Sequence, residues 1–214
     1  MHRPRKEMIA ETRAKLIAAA RQAFGTIGYA EASMDDFTAS AGLTRGALYH
    51  HFGDKKGLLE AVIAEIDAEM AARVNEVASR APTRWQHFVD ECTTYIEMAL
   101  EPEIQRIMFR DGPAVLGDPA QWSNANACVG SMTDHLTALQ REGVVVPSLD
   151  PETAARLING ASSQASQRIA NSSDPEATSR KVVVAFKQLL EGLLRKPPSA
   201  SEPNRDEGLG TVRN

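Results

Sequence analysis

The chain has 214 residues, 43% hydrophobic and 24% charged, with a net charge of −4, which is enough apolar material for one large or two small globular domains. No apolar run approaches the roughly 20 residues that cross a bilayer, and the opening His2-Arg3-Pro4-Arg5-Lys6 has no apolar stretch behind it, so the expectation is a cytoplasmic protein without a leader. The charge is uneven: residues 1–57 hold nine Lys/Arg against six Asp/Glu, and the remainder fifteen against twenty-two, as expected where one end of a protein meets a polyanion.

Nearly every segment has helical period. Residues 1–8 read as a flexible basic arm. Ile9, Leu16, Ile17, Ala20, Phe24 and Ile27 recur at helical spacing over 9–27, and Gly28 is a stop signal. Ser33-Met34-Asp35-Asp36 has the form of a capped helix start, with Met34, Phe37 and Ala41 on one side and Gly42 at its end. Thr44 caps a short helix from Arg45 to about His50. Asp54 then caps a long helix with Leu58, Leu59, Val62, Ile63, Ile66, Met70, Val74 and Val77 on its apolar stripe. Pro82 breaks that helix. Helices are expected over 83–100 and from Pro102 to Phe109, and a loop over 111–117 from its Gly and Pro content. Asp118-Pro119, Asp150-Pro151 and Asp174-Pro175 each place an acidic cap before a proline and predict helices over 119–142, 151–170 and 175–195. The polar, Pro-containing residues 196–214 read as a disordered tail. No strand and no repeat stands out, and the fold class is all-α, with about nine helices.

The segment from Ser33 to Lys56 carries the function. A helix, a Gly-containing turn and a second short helix make a helix-turn-helix, whose second helix enters the DNA major groove. Leu43, Ala47, Leu48 and Phe52 can face inward. The opposite side then presents Thr44, Arg45, Gly46, Tyr49 and His50. Arg45 can pair with guanine, and Thr44, Tyr49 and His50 can hydrogen-bond phosphate. Gly46 permits close backbone approach. Lys55, in the first turn of the helix opened by Asp54, opposes the helix dipole, and an anion at that end would reverse the cost. Lys55 is therefore read as a phosphate clamp.

Thr44-Arg45-Gly46-Ala47-Leu48-Tyr49-His50-His51-Phe52, followed by Asp54-Lys55 and Leu58-Leu59 and preceded by Phe24, Gly28, Ser33 and Ala41-Gly42, closely resembles the signature of TetR-like transcriptional regulators. The likeness covers residues 9–63 and then becomes one of architecture. Phe37, Thr38, Lys56 and Gly57 depart from the usual pattern. The resemblance implies a DNA-binding domain over 9–53 and a helical ligand-binding and dimerisation domain over 54–195. It further implies a homodimer that reads a palindromic double-stranded operator, represses, and is released by a small molecule. Arg5 of the arm, with Arg3 and Lys6, is expected near phosphates or a minor groove, and Ser33 joins the DNA-binding set.

In the second domain, the small residues Gly160, Ala161 and Ala165 and the apolar Val182, Phe186, Leu189, Leu190 and Leu193 predict a four-helix dimer interface. Trp85, Phe88, Cys92, Tyr95, Met108, Phe109, Trp122, Asn126, Met132 and Gln164 are the expected lining of a ligand pocket. Arg106, Arg110 and Asp111 would shape its entrance or lie on the surface. Cys92 and Cys128 read as free thiols. His87 with Cys92, and Cys128 with His135, lack zinc-site spacing, so neither metal nor cofactor is expected. No nucleophile elbow, P-loop or dinucleotide fingerprint marks an enzyme. The rival reading is a helical interaction module without DNA binding. In the regulator reading, ligand entry rotates the helix opened at Asp54 and spreads the paired recognition helices beyond one DNA turn of ~34–36 Å.

Overall fold

A computed structural model describes residues 5–122 and 125–195 of the chain. Among these residues the fold is all-α, with ten α-helices: α1 (Arg5–Thr26), α2 (Met34–Ala41), α3 (Arg45–Phe52), α4 (Lys55–Ala78), α5 (Arg84–Glu97), α6 (Pro102–Arg106), α7 (Gly112–Leu116), α8 (Ala125–Arg141), α9 (Pro151–Ala170) and α10 (Pro175–Glu191). A π-helical turn, Ile107–Asp111, joins α6 to α7, so the two form one helical run.

Side-chain caps set most of the boundaries. Ser33, Thr44, Asp54, Asp150 and Asp174 each accept a hydrogen bond from a first-turn amide of α2, α3, α4, α9 and α10 respectively, satisfying donors that have no partner inside the helix. Thr83 does the same for α5. Gly42 leaves α2 at φ 66°, a left-handed turn that suits glycine.

Several expectations are corrected. α1 begins at Arg5, so residues 5–8 belong to a helix and not to a loose arm; residues 1–4 and the tail at 196–214 lie outside the described residues. Ile9, Ile27 and Val77 are exposed, beyond the ends of the buried stripes of α1 and α4. Asp118 caps only the single 3-10 turn Pro119–Gln121, and α8 starts afterwards. The segment expected as a loop over 111–117 is helical. Pro113 brings no N–H to the helical ladder, and the wider π turn precedes it. α10 stops at Glu191. Beyond it, the Val146 and Arg195 amides donate to the Leu193 and Val144 carbonyls, fastening the end of the last helix to the α8–α9 connection.

One continuous core runs from Leu16 to Leu190. At its N-terminal end, Phe24 packs edge-on against Phe37, with ring centroids 5.3 Å apart, so the large residue at 37 fills space between α1 and α2. Thr38 is buried, and its hydroxyl donates to the Asp35 carbonyl at 2.9 Å. Both departures from the family pattern are thereby accommodated. The three-helix end is also tied to the body by charge. The Arg21 guanidinium of α1 reaches Glu65 and Glu69 of α4 and Glu103 of α6. That contact holds the Glu69 carboxyl below the usual carboxylate range.

Two glycines are required by packing. A Cβ at Gly57 would lie 2.1 Å from the Phe52 carbonyl oxygen, and one at Gly112 would lie 2.8 Å from Trp122 and 2.9 Å from the Ile107 carbonyl oxygen. Gly57 therefore lets the end of α3 press against the start of α4, and Gly112 lets the π turn approach α4 and Trp122. Gly112→Ala is expected to lose about 1–3 kcal/mol of stability, read as a lower urea midpoint with an unchanged slope. Gly57→Ala should lose a similar amount, about 1–3 kcal/mol, and should also move α3, so that duplex-DNA affinity falls where Gly112→Ala leaves it within a few-fold. Gel retardation of both variants distinguishes the two roles.

Candidate nucleic-acid interface and interior cavity

α3 is two turns long and marginal by itself. Leu48 is fully buried, Leu43 and Phe52 pack at the edge of the same core, and Ala47 is half-buried. The Arg13 guanidinium covers the Phe52 ring at 5.4 Å. With that side anchored, Thr44, Arg45, Gly46, Tyr49 and His50 all face outward; Tyr49 is 52% exposed.

Arg45 makes a two-pronged hydrogen-bonded ion pair with Asp35 of α2. The pair lies on the surface, and the guanidinium holds the Asp35 carboxyl below the usual carboxylate range. Ser33 is half-buried and caps α2 through the Asp35 amide. Lys55 is placed differently from a simple outward clamp. Its ammonium donates to the Ala30 carbonyl at 3.3 Å and covers the Tyr29 ring at 4.5 Å, bridging the start of α4 to the α1–α2 turn. The Arg5 side chain lies outside the described residues.

The body holds a cavity of about 460 Å³ between α4, α5, the π turn, α8 and α9. Cys92, Tyr95, Met108, Phe109, Trp122, Met132 and Gln164 of the expected lining surround it. Trp85, Phe88 and Asn126 do not. Phe88 is fully buried on another side of α5, Trp85 packs beside it with ring centroids 6.3 Å apart, and Asn126 is exposed. Periodicity marks the buried stripe of a helix but not which part of that stripe meets empty space.

Met70 and Val74 of α4, with Asp67, Glu91 and Cys128, also line the cavity; these were missed. Burial pushes the Cys92 thiol and the Tyr95 phenol up, and the negative charges of Glu91 and Asp67 push them the same way. The Trp122 indole N–H is buried at the cavity without a hydrogen-bond acceptor. The wall carries carboxylates at Asp67, Glu91 and Asp118 and no Lys or Arg among the described residues.

Arg106, Arg110 and Asp111 are structural ties and not an entrance. Arg106 donates to the Thr26 carbonyl at 2.6 Å, Asp111 accepts from the Tyr29 amide at 2.8 Å, and Arg110 donates to the Ala170 carbonyl at 2.6 Å. The stretch that supplies Met108 and Phe109 to the cavity thus also holds the end of α1 and the turn after it.

Phe186 and Leu190 of α10 are buried in the chain's own core, and Val182 of α10, Ala165 of α9 and Leu193 just beyond α10 pack at its edge. Phe186 and Leu190 thus serve the monomer's own core, while Val182, Ala165 and Leu193 stay partly exposed. Gly160, Ala161 and Leu189 are exposed, as are Leu157 at 70% and Val184 at 58%, two residues that the sequence reading passed over. Gly160 also borders the cavity.

The metal-ligand pairs considered from sequence do not form. Cys92 is buried in the cavity wall, and Cys128 is a free thiol on α8. His87 and His135 instead come together with Glu91.

Comparison with known proteins agrees with this geometry. Residues 16–62 match the model of the bacterial regulatory proteins of the tetR family, and residues 85–193 match that of the tetracyclin repressor-like C-terminal domain. The crystal structure of a TetR-family transcriptional regulator from Pectobacterium atrosepticum is similar, with 51% identity and a TM-score of 0.82 over 91% of this chain and 100% of that one. Two curated relatives match mainly at the N-terminal end. The HTH-type transcriptional regulator UidR of Escherichia coli is 37% identical over 79 residues, covering 37% of this chain and 38% of that protein. The HTH-type transcriptional regulator TtgR of Pseudomonas putida is 44% identical over 63 residues, covering 29% of this chain and 30% of that protein. The matched stretch therefore spans only about a third of these relatives' length. With both family models and the full-length structural relative in agreement, the chain belongs to the TetR family of bacterial regulators.

Proposed function

We propose that the protein is a ligand-responsive transcriptional repressor that binds a palindromic operator as a homodimer and leaves it when a small molecule fills the cavity. One observation carries the DNA-binding reading: Thr44, Arg45, Tyr49 and His50 project together from a short helix whose opposite side is locked into the core by Leu48. Gly46 supports it. A Cβ there would meet only Thr44 Oγ1 at 3.8 Å, so the missing side chain serves an approach from outside. The exposed Leu157, Ala161, Val184 and Leu189 of the last two helices support a dimer built on α9 and α10. A protein with these parts works in the cytoplasm and needs no catalytic group.

The cavity supports the ligand half of the reading. Its volume is that of a small-molecule site. Its aromatic and Met lining, its carboxylates and its lack of basic side chains suit a largely apolar molecule, neutral or cationic, with an acceptor for the Trp122 indole. Two mechanical routes lead from the cavity to α3. One is α4, about 36 Å long, with Met70 and Val74 at the cavity and Leu58 and Leu59 in the DNA-binding core. The other is the α6–π–α7 run, with Met108 and Phe109 at the cavity and Arg106 and Asp111 on the α1–α2 junction. A ligand that binds better to one setting of these elements shifts the population toward it.

Gel retardation with duplexes from the flanking genomic region tests the first half. The wild type should bind with an affinity that falls steeply with salt, and Arg45→Ala should weaken binding by about 5- to 150-fold, the equivalent of about 1–3 kcal/mol. No retardation at any salt would favour the interaction-module reading. A thermal-shift screen of neutral and cationic compounds tests the second half. Once a binder is found, Arg106→Ala should retain operator and compound affinity within a few-fold and reduce compound-induced operator release by about 5- to 150-fold, since a coupling energy of about 1–3 kcal/mol is what such a tie transmits.

A further inference from the structure

We propose that His87, Glu91 and His135 form a binding site for a divalent transition-metal ion on the flank of the cavity. His87 and Glu91 are one turn apart on α5, and so share a face. His135 comes from α8, which packs against α5. One ligand atom from each residue lies within 4.8 Å of the other two. The two imidazoles are stacked, with ring centroids 4.9 Å apart and planes inclined by 25°.

Two polar atoms of this group are not satisfied by the protein. Glu91 Oε2 and His135 Nδ1 are both buried and have no hydrogen-bond partner. His135 Nε2 stands 3.8 Å from Glu91 Oε2, too far for a hydrogen bond. A buried carboxylate oxygen facing an imidazole across such a gap is costly unless something positive lies between them. Two imidazoles and one carboxylate are a donor set suited to Zn²⁺, Co²⁺ and Ni²⁺. With bonds of about 2.0–2.1 Å, the ligand atoms of a tetrahedral ion are about 3.3 Å apart. The observed separation of up to 4.8 Å has to close by roughly 1.5 Å to reach that, and the three side chains that would move are only half-buried. Three protein ligands also leave a coordination position open. Glu91 belongs both to this group and to the cavity wall, so an ion held here adjoins the space assigned to the effector and links α5 to α8 across it.

A titration of the full-length, tag-free protein, stripped with chelator, tests the site independently of DNA binding. Zn²⁺ should bind at one equivalent per chain and raise Tm by about 5–10 °C at a hundredfold excess over Kd. Co²⁺ should give the visible absorption of a four- or five-coordinate ion, quenched by added Zn²⁺. Glu91→Gln and His135→Ala should each weaken Zn²⁺ binding by at least tenfold and abolish the Co²⁺ absorption. The double variant His50→Ala/His51→Ala, altered only on α3, should keep both. Circular dichroism of the metal-free variants checks that they fold, and His87→Ala replaces any that does not. The proposal is overturned if the wild type shows neither the Tm rise nor the Co²⁺ band. It is overturned equally if both survive in Glu91→Gln and His135→Ala, which would leave the group a water-bridged imidazole–carboxylate pair.

Discussion

α4 has one apolar stripe and two tasks. Its first turns bury Leu58, Leu59 and Val62 against α1 and α3, and its later turns bury Met70 and Val74 beside the cavity. Neither end can be repacked alone, because a helix is stiff along its axis and its hydrogen-bond ladder does not shear. The carboxylate cap at Asp54 and the absence of a side chain at Gly57 fix where α4 begins, 2.8 Å being the bond from the Gly57 amide to the cap. The recognition helix is therefore positioned by the same rod that forms the cavity wall. Everything that α3 presents outward depends on the burial of Leu48 against that rod and its neighbours.

A rod alone would tilt without a fulcrum. The ties between α6, the π turn and α1 supply one. Arg21 gathers carboxylates from α4 and α6 at a single guanidinium, and Arg106 and Asp111 hold backbone groups at the end of α1 and in the turn that follows it. These are directional bonds to fixed partners, unlike the apolar contacts along α4, so they permit rotation more readily than separation. The end of α6 and the π turn place Met108 and Phe109 on the cavity side and Arg106 and Asp111 on the other within one short stretch. Both routes are physical contacts between elements; the population shift they would transmit is set by the ligand's preference and not by distance.

What was legible in the sequence was local. Asp54, Asp150 and Asp174 announce helix starts because a short carboxylate side chain competes for amides within one turn of itself. The helix-turn-helix was legible because its inward and outward residues alternate over a few turns with glycines between. The remainder needed the third dimension. Asp118 carries the same signal as the other caps yet opens a single turn. Gly112 and Pro113 look like a loop, although Gly112 is there because Ile63 and Trp122 press against it. Phe186 and Leu190 lie on the strongest apolar stripe of α10 and so belong to the chain's own core, while Leu157, Val184 and Leu189 fall outside the stripes and remain exposed. His87 and Glu91 share a helix face that spacing alone reveals, but His135 joins them only because α8 packs on α5.

The pairing of Arg45 with Asp35 bears on how a protein with a net charge of −4 meets a polyanion. An exposed ion pair is worth little in water, typically about 0–1 kcal/mol, so a phosphate or a guanine edge exchanges with Asp35 at small cost. While the pair lasts, the carboxylate holds the guanidinium in an extended position on the outer side of α3, and less conformational freedom is lost when DNA arrives. The same carboxylate repels phosphate that approaches in any other register. A weak internal partner of this kind gains discrimination at the expense of affinity, which suits the release proposed above.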